Sequence, residues 1–351
     1  MRRGTWFAVA VAAAVGTVGC RGVPDAGGVD LTGAGGTFPY PLYRRWFADY
    51  AVRTGVRINY LSVGSDAGLR LLDSAKVEFA AVERNVTPAQ LRSEACPRTA
   101  VPTVAGAIAV VYNLPDQGAA LRFDADLLAD IFLGRVRRWN DRAVAARNPG
   151  AALPDLPITV VHRAPGSGTS RSFAEFLASS THWPRPRTTD TDVSWAAGLQ
   201  VEGNEGVSAQ VQQTVGALGY VELAYANLYR LQVGLVQNAL GQDILPSDAS
   251  IRDAVSALPA SVPPGTSLVL PRVPRSYPIA SLTWLVLDPG TTDPERGARV
   301  VAFARWALRE GARAADRLEY VPLPPHVVAH YDSVLTALRF GPCEKHESPG
   351  R

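Results

Sequence analysis

Lysine is almost missing from this 351-residue chain: Lys76 and Lys345 are its only two, so nearly all of the 35 basic residues are arginine. Those arginines form no basic tail and no run interleaved with aromatics, and the formal charge is only +3. The concentrated cationic footprint of a nucleic-acid binder is thereby excluded. Cysteine is nearly as scarce. Of Cys20, Cys96 and Cys343, neither of the last two gains a second thiol or a cluster of histidines that would make a metal site with it. The apolar stretch FAVAVAAAVGTV falls short of the roughly 20 residues that a spanning helix needs. No lysine follows a glycine-rich loop, which removes a nucleotide-binding P-loop, and no G-x-S-x-G elbow or internal repeat occurs.

What is present is apolar bulk. At 47% apolar residues the chain can bury a large core, and its length exceeds one typical domain, so two domains or lobes are expected. MRRGTW followed by FAVAVAAAVGTV has the order of an export signal, a charged start and a short apolar core. The next residues, TVGC, resemble a bacterial lipobox in which Cys20 is lipidated, although Thr17 stands where leucine is usual; ordinary signal-peptidase cleavage is the alternative. Residues 21–29 read as a flexible tether. In an oxidising compartment Cys96 and Cys343 can form one bridge, tying the tail at 341–351 to the first lobe.

Short β-rich runs alternate with amphipathic segments. VRINYLSV, VEFAAV, AIAVVYN, PITVVHR, LGYVEL and SLTWLVL are expected strands; YPLYRRWFADYAVRTG, DADLLADIFLG, TSRSFAEFLAS and DPERGARVVAFARWALREG are expected helices. Asp124, Gly134 and Gly311 supply start and stop signals. The proline-rich stretch at 258–278 reads as a surface excursion. Alternation of this kind argues α/β.

Three strand-turn-helix junctions carry glycine and a hydroxyl. In HRAPGSGTSRSF, Gly166, Ser167, Gly168 and Thr169 form a turn at a helix start, where free N–H groups and the positive end of the macrodipole suit an oxyanion, and Arg163 adds a planar fork of charged donors. Taken alone, that segment is equally a plain capped helix. Thr37 and Phe38 follow GAGG, and Ser65 follows Gly64, so the three junctions can converge on one small anion at the carboxyl ends of the strands.

With GAGGTFPYPLY, NYLSVGS, DIFLGRVRRWND, ITVVHRAPGSGTS and GALGYVELAYA in this order, the chain resembles the phosphate-binding proteins of bacterial phosphate ABC transporters, over about residues 30 to 340. The resemblance implies a type II periplasmic-binding-protein fold: two α/β lobes joined by two crossover strands, lobe I at 30–107 and 281–340, lobe II at 108–280, with residues 1–20 as leader. It implies phosphate contacts from Thr37, Phe38, Ser65, Glu83, Arg163, Ser167, Gly168 and Thr169, without cofactor, metal or catalysis. It also implies an exported monomer that delivers phosphate to a membrane permease. Two departures stand out. Glu83 occupies the place of the family's usual aspartate, and Pro165 the place of the aspartate that braces the arginine; Asp66 reads equally as a compensating carboxylate and as a solvated aspartate at a helix start.

Glu83 and Pro165 open a binding protein with altered preference among tetrahedral anions, arsenate included. A secreted phosphatase needs bound metals or an activated nucleophile, and neither constellation is present. His326 and His330 lie four apart on an expected helix, but no carboxylate or cysteine completes a metal set with them, and Trp46, Trp195, Trp284 and Trp306 sit in apolar contexts that read as core.

Overall fold

The computed structural model describes residues 30–341 apart from 84–90, 92–95, 116–117, 185–187, 190–191 and 291; the leader, Cys20, the tether and Cys343 lie outside the described residues. The chain opens with three short strands, β1 (Leu31–Gly35), β2 (Ile58–Ser62) and β3 (Phe79–Val82). β1 lies between the other two and runs parallel to both. Parallel neighbours need a crossover, and the sequence supplies it as α1 (Tyr40–Thr54) and α2 (Ser65–Asp73). α1 buries Tyr43, Trp46, Phe47 and Tyr50, a spacing that makes one apolar stripe. Gly55, at φ 79°, ends it by returning its N–H to the Ala51 carbonyl at 2.8 Å.

The long strand β4 (Thr99–Tyr112) is buried almost throughout, as its unbroken run of small and β-branched residues requires. It changes partner midway. Residues 99–107 pair antiparallel with β8 (Ile279–Leu287), whereas residues 108–112 pair antiparallel with β7 (Ala217–Glu222). β7 continues into a second parallel group, with β5 (Thr159–Arg163) between β7 and β6 (Leu199–Val201). One curled sheet therefore holds two halves: β1 to β3 with β8, and β5 to β7, with β4 shared.

Helices cover the second half: α3 (Ala125–Phe132), α4 (Gly168–Leu177), α5 (Gly203–Gln213) and α6 (Leu223–Leu228). Asp124 caps α3 by accepting the Leu127 N–H at 2.8 Å, and Gly134 follows its end at φ 69°. α7 (Pro294–Arg309) and α8 (Pro325–Ala337) return to the first half. Gly311 lies two residues past α7 at φ −63°, so it extends the chain as a turn instead of a left-handed stop.

The expected strands and helices are all present, and Trp46 and Trp284 are core residues as expected. Trp195 and Trp306 are only half-buried. Trp195 stacks on His162 with ring centroids 5.6 Å apart, and Trp306 lies against Tyr50 at 5.3 Å, each at the margin of a helix–sheet layer. The stretch at 258–278 is less of an excursion than expected, because Tyr331 donates its hydroxyl to the Val262 carbonyl and His326 Nε2 meets the Leu258 carbonyl. Cys96 is buried and disulfide-bonded.

Candidate functional site

Each glycine-containing junction places a hydroxyl where its strand ends. Thr37 and Phe38 follow β1, Ser65 opens α2, and Ser167 caps α4 by accepting the Ser170 N–H at 3.2 Å. A helix start leaves its first N–H groups without an intrahelical acceptor, and the Ser167 side chain takes that of Ser170. Gly166, at φ 84°, makes the turn that brings Ser167 round to the helix start.

The three junctions meet. The Asp66 N–H donates to the Gly166 carbonyl at 3.3 Å, joining the start of α2 to the turn before α4. Ser65 donates its hydroxyl to Glu83 Oε2 at 3.1 Å. A Cβ added at Gly168 would lie 2.8 Å from Ser65 Oγ and 2.9 Å from Glu83 Oε2, and one added at Gly36 would lie 1.8 Å from Glu83 Oε1. These two glycines are what make room for the extra methylene of Glu83. Thr37, Arg163 and Gly166 line a cavity of about 210 Å³ together with Gly64, Glu202 and Glu205.

The polar groups gathered here are buried and incompletely partnered. Thr37, Ser65, Glu83, Arg163, Ser167 and Thr169 are all at most 5% exposed. Yet Arg163 Nε and Nη1, Thr169 Oγ1 and Glu83 Oε1 have no hydrogen-bond partner. Buried polar groups normally find partners, and a bare buried guanidinium is costly.

Electrostatics follow from burial. Desolvation raises the Glu83 carboxyl to about 7, against the opposing pull of Arg163 and the Ser65 hydrogen bond. Burial likewise lowers Arg163, opposed by Tyr220, Glu83, Glu205 and Tyr225. Glu83 and Glu205 are the carboxylates whose charge favours the Arg163 guanidinium. The Arg163 backbone N–H is held by Tyr220 Oη at 3.2 Å, and Tyr220 in turn meets Ser170 Oγ at 2.7 Å.

Sequence reasoning missed the second layer. Asn204 donates from Nδ2 to Thr37 Oγ1 at 2.8 Å and from its backbone N–H at 3.2 Å. Tyr225 Oη shares its one hydrogen between the Thr37 carbonyl at 2.7 Å and Glu205 Oε1 at 2.9 Å. Tyr320 bridges the Phe38 carbonyl and the buried Glu222 carboxyl. The signal for Asn204 and Glu205 was VEGNEGV, another glycine-led helix start after a strand, overlooked because it carries no hydroxyl. Among the described residues no group of histidine, cysteine and carboxylates has the arrangement of a metal site.

Fold and site together define the class: a two-part α/β binding protein with an oxyanion cleft at the carboxyl ends of its parallel strands. A family model described as "PBP superfamily domain" matches residues 10–310. Phosphate-binding protein PstS of Xylella fastidiosa strain 9a5c is 36% identical over 309 residues, covering 87% of this chain and 84% of that one. The Haemophilus influenzae PstS is 36% identical over 311 residues, covering 88% and 92%. The chain belongs to the PBP superfamily and, within it, to the family of phosphate-binding proteins PstS. Among solved structures, a high-affinity periplasmic phosphate-binding protein with bound phosphate superposes with a TM-score of 0.71 at 21% identity, over 87% of this chain and 93% of that one. The phosphate-binding protein of Stenotrophomonas maltophilia superposes with a TM-score of 0.69 at 18% identity, over 88% and 94%. At such identities these two likenesses speak to the fold.

Proposed function

We propose that this chain binds inorganic phosphate outside the cytoplasmic membrane and presents it to an ABC permease, without catalysing a reaction on it. The observation that carries the reading is the cluster of buried, unpaired donors, Arg163 Nε and Nη1 with Thr169 Oγ1, facing the equally buried Glu83 carboxyl. Phosphate supplies oxygens for the donors and, as HPO4(2-) or H2PO4(-), a hydrogen for the carboxylate; sulfate at neutral pH has none. Thr37, Phe38, Ser65, Ser167 and Gly168 complete the proposed contact set, with the hinge between residues 107 and 108, where β4 changes partner. Calorimetric titration of the ligand-stripped mature domain with phosphate, arsenate and sulfate tests the reading: tight phosphate binding with sulfate rejected is expected, and no heat with phosphate would sink it. Arsenate binding tighter than phosphate would favour the second reading, which rests on Glu83 and Pro165. Released phosphate from a model ester, with or without divalent metals, would instead indicate an enzyme.

The membrane attachment is proposed through Cys20, and the Cys96 bridge through Cys343. Cys20→Ser is expected to abolish fatty-acid labelling and release the protein from the membrane fraction; unchanged labelling and retention would refute the anchor.

A further inference from the structure

We propose that Asn204 is a positioning residue that fixes Thr37 as a hydrogen-bond donor toward the anion, so that contact between the two halves sets the polarity of the site. The proposal rests on the phosphate reading above and concerns a residue one layer behind it.

Thr37 belongs to the first half and Asn204, fully buried as the second residue of α5, to the other. Both donors of Asn204 converge on one atom, Thr37 Oγ1: Nδ2 at 2.8 Å and the backbone N–H at 3.2 Å. A hydroxyl has two lone pairs and one hydrogen. With both lone pairs engaged, only the hydrogen is left to turn into the cavity that Thr37 shares with Arg163. The amide is itself oriented, because Asn204 Oδ1 accepts the Glu222 N–H at 3.1 Å. Flipping it would set the Glu222 N–H against an NH2 group and the Thr37 hydroxyl against a carbonyl.

The consequence is a directed relay, from the Glu222 N–H to Asn204 Oδ1, from Asn204 Nδ2 to Thr37 Oγ1, and from the Thr37 hydrogen to the ligand. A free hydroxyl can present either a lone pair or a hydrogen to an incoming group. One whose lone pairs are already taken presents only the hydrogen, which suits an anion and disfavours a donor. Since the relay spans the two halves, it exists only while they are in contact. Gly203 lies beside it at φ 67°, a left-handed conformation that favours glycine, and a Cβ there would fall 2.6 Å from Glu205 Oε2.

The test is a double-mutant cycle read by calorimetric titration with inorganic phosphate. Asn204→Asp replaces the donor by an acceptor, so the Thr37 hydrogen turns away from the ligand. Asn204→Ala removes the side-chain donor without reversing it. Each is made in the native, Thr37→Ser and Thr37→Val backgrounds, with the melting temperature of every ligand-free protein measured. Expected are a loss of roughly 10- to 100-fold for Asn204→Asp, a loss several-fold smaller for Asn204→Ala, the same order in Thr37→Ser, and near-equality of all three residues at 204 in Thr37→Val. If Asn204→Asp does not fold, the Asn204→Ala arm decides: its loss must shrink to within about twofold in Thr37→Val. Losses that persist undiminished in Thr37→Val would overturn the proposal, since they would come from charge or structure and not from the hydroxyl. Wild-type protein that fails to bind phosphate would refute the functional reading itself, whereas wild-type binding matched by Asn204→Asp would refute only the relay.

Discussion

Ser65 gives its hydroxyl hydrogen to Glu83 Oε2 across 3.1 Å while Glu83 Oε1 stays without a partner, both residues being at most 5% exposed. A carboxyl so placed is a pH-dependent liability. Its ordinary value of 4.5 is raised to about 7 by burial, so the folded protein holds a proton that the unfolded chain releases. Stability should therefore fall as pH climbs from about 4.5 to about 7, by on the order of 3 kcal/mol at most. Urea unfolding of ligand-free wild type and Glu83→Gln across this window checks the sign: the stability difference should grow in favour of the variant toward pH 7, and a constant difference would count against it.

The same substitution reads out selectivity. Glutamine at 83 can donate as well as accept, so Glu83→Gln is expected to narrow the phosphate-to-sulfate affinity ratio, chiefly by admitting sulfate. Glu83→Asp, which restores the family's usual side chain, should change phosphate binding modestly. An unchanged ratio in Glu83→Gln would mean that the carboxyl does not face the ligand.

Arg163 offers a sharper separation of binding from folding. Truncating a buried charged partner typically costs about 2 to 5 kcal/mol of binding, so Arg163→Ala should weaken phosphate binding by well over tenfold. Because its Nε and Nη1 have no partner in the protein, the ligand-free melting temperature should hold or rise. Near-normal affinity in a folded variant would remove Arg163 from the site.

Thr169 follows the same logic in a neutral group. Its hydroxyl oxygen is buried and unpartnered, so Thr169→Val keeps the shape and deletes a cost that only the ligand repays. Phosphate affinity should drop by about 1 to 2 kcal/mol with ligand-free stability unchanged or improved. A destabilised variant would mean that the hydroxyl serves the fold.

How much of this the sequence revealed depends on distance along the chain. The strands and helices were legible because period and capping are local: Tyr43, Trp46, Phe47 and Tyr50 form a stripe within one helix, and Asp124 caps its own first turn. The site was legible where a helix start announced itself through glycine and a hydroxyl. Asn204, Tyr225 and Tyr320 were not, since each acts through a contact with a residue more than a hundred positions away, on Thr37 or Phe38. The influence of Glu205 on Arg163 was hidden for a similar reason, since the two sit on different elements.

Gly36 offers a test of fit. An added methyl there would collide with Glu83 Oε1 at 1.8 Å, so Gly36→Ala should destabilise the protein by about 1 to 3 kcal/mol. In Glu83→Asp, whose carboxyl is withdrawn by one carbon, the cost should shrink; equal cost in both backgrounds would show that the clash lies with the backbone.

The shared strand Thr99–Tyr112 has a mechanical meaning. It is clamped by one hydrogen-bonded ladder as far as Ala107 and by another from Ile108, so the unclamped span is a single peptide link. A beam held in this way twists more readily than it frays. Opening of the cleft would load that link in torsion while both ladders stay intact, and the empty receptor would remain two rigid jaws instead of a loosened chain. Closure by such a twist would order few residues and lose little of the binding free energy to conformational entropy.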